Sequence, residues 1–272
     1  MKKKKSNKLN LIICGVAFLV LVLYVVFVDG VDNLVNSIQQ FNVVFLFIAA
    51  LFMVAYWLLE ALGLHAALKM IHPEQKFGKT LIVAMFGQYF NCITPSASGG
   101  QPMQVYYFAK FGTPVAHSMT ALLSKFIVYQ FVLTVYSAVV LILHFKSFAS
   151  EYAPLMALVI FGFIVNTVVI VLLLMVAFTK KPVKKLGFWA IKLLAKIKII
   201  KTQEEVDEKL EQVDKTIDEY HENFCFIKSK PGLIARMVFY TVLQLTFYFA
   251  ISYVIYLGFG LSGTDLFTII SC

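Results

Sequence analysis

The chain has 272 residues, 60% of them hydrophobic and only 14% charged, with 26 Phe and a mean hydropathy of +0.81. A soluble domain of this size needs far more polar surface, so the composition excludes one and implies a polytopic α-helical membrane protein. The formal net charge of +9, from 24 Lys and Arg against 15 Asp and Glu, then serves as a topology marker, because basic residues collect on the cytoplasmic face.

Lys2, Lys3, Lys4, Lys5 and Lys8 precede an apolar run over 9–28. The run is too long for a signal-peptide core and no small-x-small cleavage site follows it. It is predicted to be an uncleaved first span with a cytoplasmic N-terminus, placing Asp29 and Asp32 outside. The second span is predicted over 42–68, outside to inside, followed by Lys69, Lys76 and Lys79.

The next stretch, 91–104, reads N-C-I-T-P-S-A-S-G-G-Q-P-M-Q. Pro95 and Pro102 lack the N–H a helix needs, and Gly99–Gly100 frees the backbone. A helix begun near Thr80 must therefore stop near Thr94, and a new one is predicted to start near Met103. Apolar sequence flanks this polar break. Non-helical backbone at membrane depth survives only inside protein or beside a wet cavity. Such breaks present helix ends to ligands. The plainer alternative is a water-exposed loop between spans.

Two further spans are predicted over 115–143 and 154–178, joined by a short loop with Lys146 and Glu151, and a last one over 231–257. The span over 154–178 has only Asn166 and Thr167 in its interior and reads as lipid-facing. Lys69 to Lys79 are inside, and so are the lysines from Lys180 to Lys230. The segment over 80–114 must then begin and end inside. Its arms are too short for two full crossings at ~1.5 Å per residue, so it is predicted to be a re-entrant hairpin with the Pro/Gly motif at its tip. With this topology only Lys146 of the 24 basic residues falls outside.

Between the last two spans lies a cytoplasmic segment, 180–230. Over 182–200, Leu186, Trp189, Leu193 and Ile197 share one face and Lys185, Lys192 and Lys196 the other. That pattern suits anionic lipid headgroups. Over 203–226 the chain is acidic, with Val206, Leu210, Val213, Ile217, Tyr220 and Phe224 spaced as a heptad seam. Three heptads are short for an independent coiled coil, so the seam is predicted to pack on its basic neighbour; a solvated charged hairpin is the alternative. After the last span, Asp265 opens an apolar stretch to Cys272. It reads as the start of a second, incomplete re-entrant element over 264–272, and implies that the chain is a fragment of a longer protein. The fold class expected is therefore an all-α polytopic membrane protein: a single domain over 1–272 with about five full transmembrane helices, one re-entrant helical hairpin and a cytoplasmic amphipathic helix pair.

The tip T-P-x-x-x-G-G-Q-P from Thr94, followed by a short apolar aromatic run and then Lys125, resembles the lysylphosphatidylglycerol synthase transmembrane region. This flippase-like family also forms the membrane part of the bacterial multiple peptide resistance factor. The resemblance covers nearly the whole chain in hydropathy, while its specific motif is 94–104 with Lys125. It implies a bacterial cytoplasmic-membrane protein that moves or handles phospholipid, built from two inverted halves. An acidic residue often follows the Gly pair in this family. Here it is Gln101, which removes the carboxylate that proton or cation coupling there would use. The second Pro/Gly motif is absent from this chain.

Ionisable groups within spans are costly and commonly functional. Glu60 would lie ~12 Å, Lys125 ~15 Å and the motif tip ~21 Å from the cytoplasmic ends of their segments, at the helical rise. All three can therefore meet. A Glu60–Lys125 pair would offset part of each burial cost; a purely structural pair is the alternative. In the last span Arg236, Tyr240, Gln244, Tyr248 and Ser252 recur at i+4 and form one polar face. The candidate lipid-binding set is thus Glu60, Thr94, Pro95, Ser96, Ser98, Gly99, Gly100, Gln101, Lys125, Arg236, Tyr240 and Gln244.

Three function classes follow. The favoured one is a flippase-like protein with a polar groove among the spans over 42–68, 115–143 and 231–257, whose partners are anionic phospholipids and the membrane. A phosphatidylglycerol lysyltransferase is the second, an enzyme activity linked to cationic-peptide resistance that requires an aminoacyl-tRNA-using domain. An ion channel or scaffold is the third, although no acidic ring or carbonyl-filter sequence is present. No catalytic residue, metal or cofactor is indicated. The four Cys have no paired spacing, the five His form no H-E-x-x-H, and no phosphate-loop glycine motif occurs. No nucleic-acid partner is indicated for this chain, and a homo-oligomer is left open.

Overall fold

A computed structural model of the chain describes residues 41–143, 153–181 and 203–263, with isolated helical positions between 15 and 40 and between 183 and 191. The predicted first span, the loop with Lys146 and Glu151, most of the basic segment 182–200 and the element over 264–272 lie outside the described residues. The described elements are all helical: α1 Val43–Ile71, α2 Phe77–Ile93, a one-turn 3₁₀ helix Pro95–Ala97, α3 Gly100–Lys110, α4 Val115–Leu143, α5 Ala153–Phe178, α6 Gln203–Lys228 and α7 Pro231–Gly258. Among them α1, α4 and α7 are long and apolar enough to cross a bilayer, and α5 contains a shorter apolar stretch, Ile160–Met175. The chain is an all-α, multi-pass membrane protein.

Packing centres on α1 and α7, which form the most extensive helix pair. They are tied at one end by the Asn42 N–H donating to the Gly258 carbonyl at 2.8 Å, while Asn42 Oδ1 caps Val44. Gly258 admits Phe41 and Phe45, and a Cβ there would overlap the Phe41 ring. At the other end Leu64, Leu68, Val83, Phe108, Leu122, Leu233 and Met237 form the buried core.

Helices α2 and α3 run antiparallel. Phe86 stacks on Tyr107 at 4.1 Å, and Lys79 Nζ reaches the Phe111 carbonyl at 3.2 Å. With 17 and 11 residues, they are about 25 and 16 Å long, short of the ~30 Å hydrocarbon thickness. Both open ends return to one place. Gln75 donates to Thr80, Thr113 donates to Gln75, and His65 Nδ1 lies 3.2 Å from Thr80 Oγ1. All of Gln75, Thr80 and Thr113 are buried, so the cluster satisfies polar groups that would otherwise be stranded. It pins the base of the hairpin to α1.

The acidic helix α6 lies mainly along α4. Its seam residues Ile217, Tyr220 and Phe224 are buried, and Leu123 and Ile127 of α4 pack against Tyr220 and Phe224. The seam thus meets α4, because that span offers an apolar stripe. The basic neighbour supplies charge instead. Lys180 and Lys184 pair with Asp218 at 2.8 and 3.0 Å, and Lys184 with Asp214 at 2.7 Å. Lys180 and Lys184 hold the Asp218 carboxyl below its ordinary range, and Asp214 and Asp218 hold the Lys184 ammonium above its own. Helix α5 packs chiefly on α4 and is otherwise largely exposed. Within this span, read as lipid-facing, Asn166 faces α4, where Gln130 donates to it and it donates to Thr134. A carboxamide in hydrocarbon needs such partners.

Candidate functional site

The hairpin tip is built by its own side chains. Helix α2 ends at Ile93, and Pro95 sits at the first position of the 3₁₀ turn. Thr94 Oγ1 donates to the Phe90 carbonyl at 2.6 Å and accepts from the Gly99 N–H at 2.9 Å. Asn91 Oδ1 accepts from the Gly100 N–H at 3.0 Å. These bonds satisfy N–H groups at the start of α3 and let it begin at Gly100, three residues before the expected Met103. Gly99 has φ −84, so no left-handed conformation explains its presence. A Cβ at Gly99 would sit 2.5 Å from Thr94 Cγ2, and one at Gly100 would overlap the Asn91 carboxamide. The Gly pair therefore makes room for the two caps; its backbone does not face open space. Thr94 likewise points inward. The left-handed residue of the turn is Ala97, with φ 52. Ser98 donates to the Pro95 carbonyl at 2.9 Å.

Below this tip lies a cavity of about 650 Å³. Glu60 and Tyr56 of α1 enter it from one side, and Lys125 and Tyr129 of α4 from the other. Gln88 and Asn91 of α2, Ser98, Gln101 and Gln104 of the tip and α3, and Gln244 of α7 complete its polar lining. Lys125 Nζ donates to Glu60 Oε1 at 2.8 Å, with side-chain exposures of 14% and 10%. Gln88 Nε2 donates to the other carboxylate oxygen, Oε2. The carboxylate thus accepts from a cation and an amide at once, which is what a buried charge requires. Gln104 is buried and lies over Gly87, where a Cβ would overlap its carboxamide. Gln244 is 1% exposed, and its carboxamide lies beside Tyr56 in the cavity wall.

Next to the polar cavity is a second, mainly apolar one of about 310 Å³. The two share Gln101, Pro102 and Leu122 as a dividing wall. Val105 and Met119, with Ile217 and Tyr220 of α6, line the far side. The acidic helix thereby reaches the hairpin tip.

The structure brings together Glu60, Ser98, Gln101, Lys125 and Gln244 of the sequence-derived set. Thr94, Gly99 and Gly100 shape the tip from behind, and Pro95 starts its turn. Ser96 takes a place in that turn. Arg236 and Tyr240 do not join them; they line a different cavity with Lys69 and His65. Of the expected polar face on α7, Tyr248 and Ser252 are exposed, because the i+4 row drifts around the helix. Gln88, Asn91, Gln104, Tyr56 and Tyr129 were not singled out from sequence. Gln88 and Asn91 were detectable as isolated amides in an apolar arm, and Gln104 closes the quoted motif.

A family model described as Lysylphosphatidylglycerol synthase TM region matches residues 12–271. No curated protein and no solved structure matches the chain.

Proposed function

The chain belongs to the family of the lysylphosphatidylglycerol synthase transmembrane region, and from that premise we propose that it is a flippase-like protein that binds a phospholipid headgroup in the polar cavity and helps it cross the bacterial cytoplasmic membrane. The observation that carries this reading is the buried Glu60–Lys125–Gln88 arrangement beneath a broken hairpin. A zwitterionic site can meet a phosphate with Lys125 and an amine with Glu60, while the amides of Asn91, Gln101, Gln104 and Gln244 exchange hydrogen bonds with headgroup oxygens in place of water. The adjoining apolar cavity gives an acyl chain a place beside its headgroup, across the Gln101–Pro102–Leu122 wall. Loss of water by the headgroup is the main barrier to crossing, and a pre-formed polar cavity lowers it.

The family's name ties its members to lysylphosphatidylglycerol synthesis, so service as the membrane part of a phosphatidylglycerol lysyltransferase is the second reading. Under it the same cavity would hold the acceptor lipid. The test is accessibility of headgroup-labelled lipid to an impermeant quencher in vesicles carrying the full-length protein. Wild-type protein is expected to expose inner-leaflet label, and the Glu60→Gln/Lys125→Met variant is expected not to. Equal exposure in both would refute transport through this cavity.

A further inference from the structure

On the opposite side of α1 lies a second cavity of about 390 Å³ between α1 and α7. Its lining includes Lys69 and Arg236, with His65, Tyr240 and the apolar Leu62 and Met70. It is separate from the headgroup cavity. Glu60 and Leu62 are about 200° apart on a helix at ~100° per residue, so the two cavities use different faces of α1. Among the described residues no carboxylate lines the second cavity. Among the described residues neither Lys69 nor Arg236 has an ion-pair partner. Both cations are exposed at the cavity, so an anion can reach them without displacing a carboxylate. Lys69 is in the last turn of α1, and Arg236 is near the start of α7. Both therefore sit at the bundle end that carries Lys76, Lys79, Lys110, Lys228 and Lys230. That end is where a membrane's phosphate layer meets the protein. Arg offers a planar fork matched to phosphate oxygens, Lys a point charge, and Tyr240 a hydroxyl donor.

We propose that the Lys69–Arg236 cavity is a second binding site, distinct from the headgroup cavity, for a phosphate oxyanion held at the membrane surface. Leu62 and Met70 give the oxyanion's carrier an apolar wall, as an anionic phospholipid would use and a free phosphate would not. The site does not depend on transport through the Glu60–Lys125 cavity.

The experiment uses the full chain, purified in detergent and stripped of lipid, and follows thermal unfolding against added ligand. Three arms are phosphatidylglycerol, phosphatidylcholine and inorganic phosphate. Wild-type protein is expected to be stabilised by phosphatidylglycerol. Lys69→Gln/Arg236→Gln should weaken its apparent affinity by roughly tenfold to thirtyfold, from two lost surface cations. Lys69→Arg/Arg236→Lys should restore most of it, and Lys110→Gln, which removes a cation of the same bundle end that lines neither cavity, should leave it unchanged. Stabilisation by inorganic phosphate at equal strength, lost in the same Gln variant, identifies a free anion as the ligand; a response confined to phosphatidylglycerol identifies the lipid. Should the double Gln variant unfold without ligand, the single variants Lys69→Gln and Arg236→Gln supply the comparison. A Gln variant, double or single, that responds to every arm as wild type does overturns the site, and so does an effect of Lys110→Gln as large as that of the cavity variant.

Discussion

Removing one partner of the Glu60–Lys125 pair should be far more damaging than removing both. The two groups are 2.8 Å apart and only 10% and 14% exposed. At an effective dielectric near 20, unit charges at that distance attract by about 6 kcal/mol. Desolvation cancels much of this, so the pair itself adds little net stability. Lys125→Met leaves the Glu60 carboxylate without its cation and, among the described residues, with Gln88 as its remaining hydrogen-bond donor, and should cost about 3–5 kcal/mol. Glu60→Gln strands the ammonium by a similar amount. The double variant Glu60→Gln/Lys125→Met replaces the pair with a neutral amide and an apolar chain of similar length. It should recover most of the stability, giving a coupling of at least about 5 kcal/mol. Reversible unfolding in mixed micelles provides the four stabilities of the cycle. A coupling under about 0.5 kcal/mol would mean that the charges do not interact, and the electrostatic account of the cavity would fail.

Gly100→Val places carbon where the Asn91 carboxamide caps α3; membrane insertion should persist and labelled-lipid transfer should fall at least tenfold, with fractionation and the vesicle assay as readouts. Asn91→Ala removes the cap without adding bulk and should cost about 1 kcal/mol, measured by the unfolding midpoint. Ala97 holds φ 52, a region that costs a non-glycine residue about 1 kcal/mol, so Ala97→Gly should leave stability unchanged or raise it by up to that amount in the same assay. The contacts of Lys180 and Lys184 depress the Asp218 carboxyl below its ordinary 3.8. Their contribution to docking of α6 is therefore full above pH 3.8 and is lost as pH falls through the depressed value. Limited proteolysis of α6 should accelerate only below that pH, and Asp218→Asn should weaken the dependence, the Lys184–Asp214 pair remaining.

Length, hydropathy and the lysine pattern made the helical architecture legible, because a bilayer needs long apolar helices and tolerates few charges within them. The broken hairpin was legible from Pro95 and the Gly pair. The meeting of Glu60 with Lys125 followed from their similar depth, since two opposite charges in apolar spans have few other partners. The role of the glycines was not legible. A Gly next to a polar tip can free φ, admit a ligand or admit a neighbouring side chain, and only coordinates show Thr94 and Asn91 filling that space. Arg236 was assigned to the motif because i+4 spacing suggests one face; the drift of that row sends it to another cavity. The packing of α6 on α4 was equally hidden, since a heptad seam specifies an apolar partner without naming it. Gln88 is visible in the sequence as an isolated amide in an apolar arm and Gln104 as the end of the Pro/Gly motif, but neither carries a spacing signal that ties it to Glu60.

The most direct test of the central claim is a photoreactive side chain placed at Gln101, at the wall between the polar and apolar cavities. After irradiation in native membranes, intact-mass analysis should find an adduct of one phospholipid on the full-length protein. Fragmentation should place the bond at the glycerol or headgroup, and Glu60→Gln/Lys125→Met should remove it. Adducts confined to acyl carbons, or an equal yield in the double variant, would show that no headgroup enters the cavity and would contradict the account.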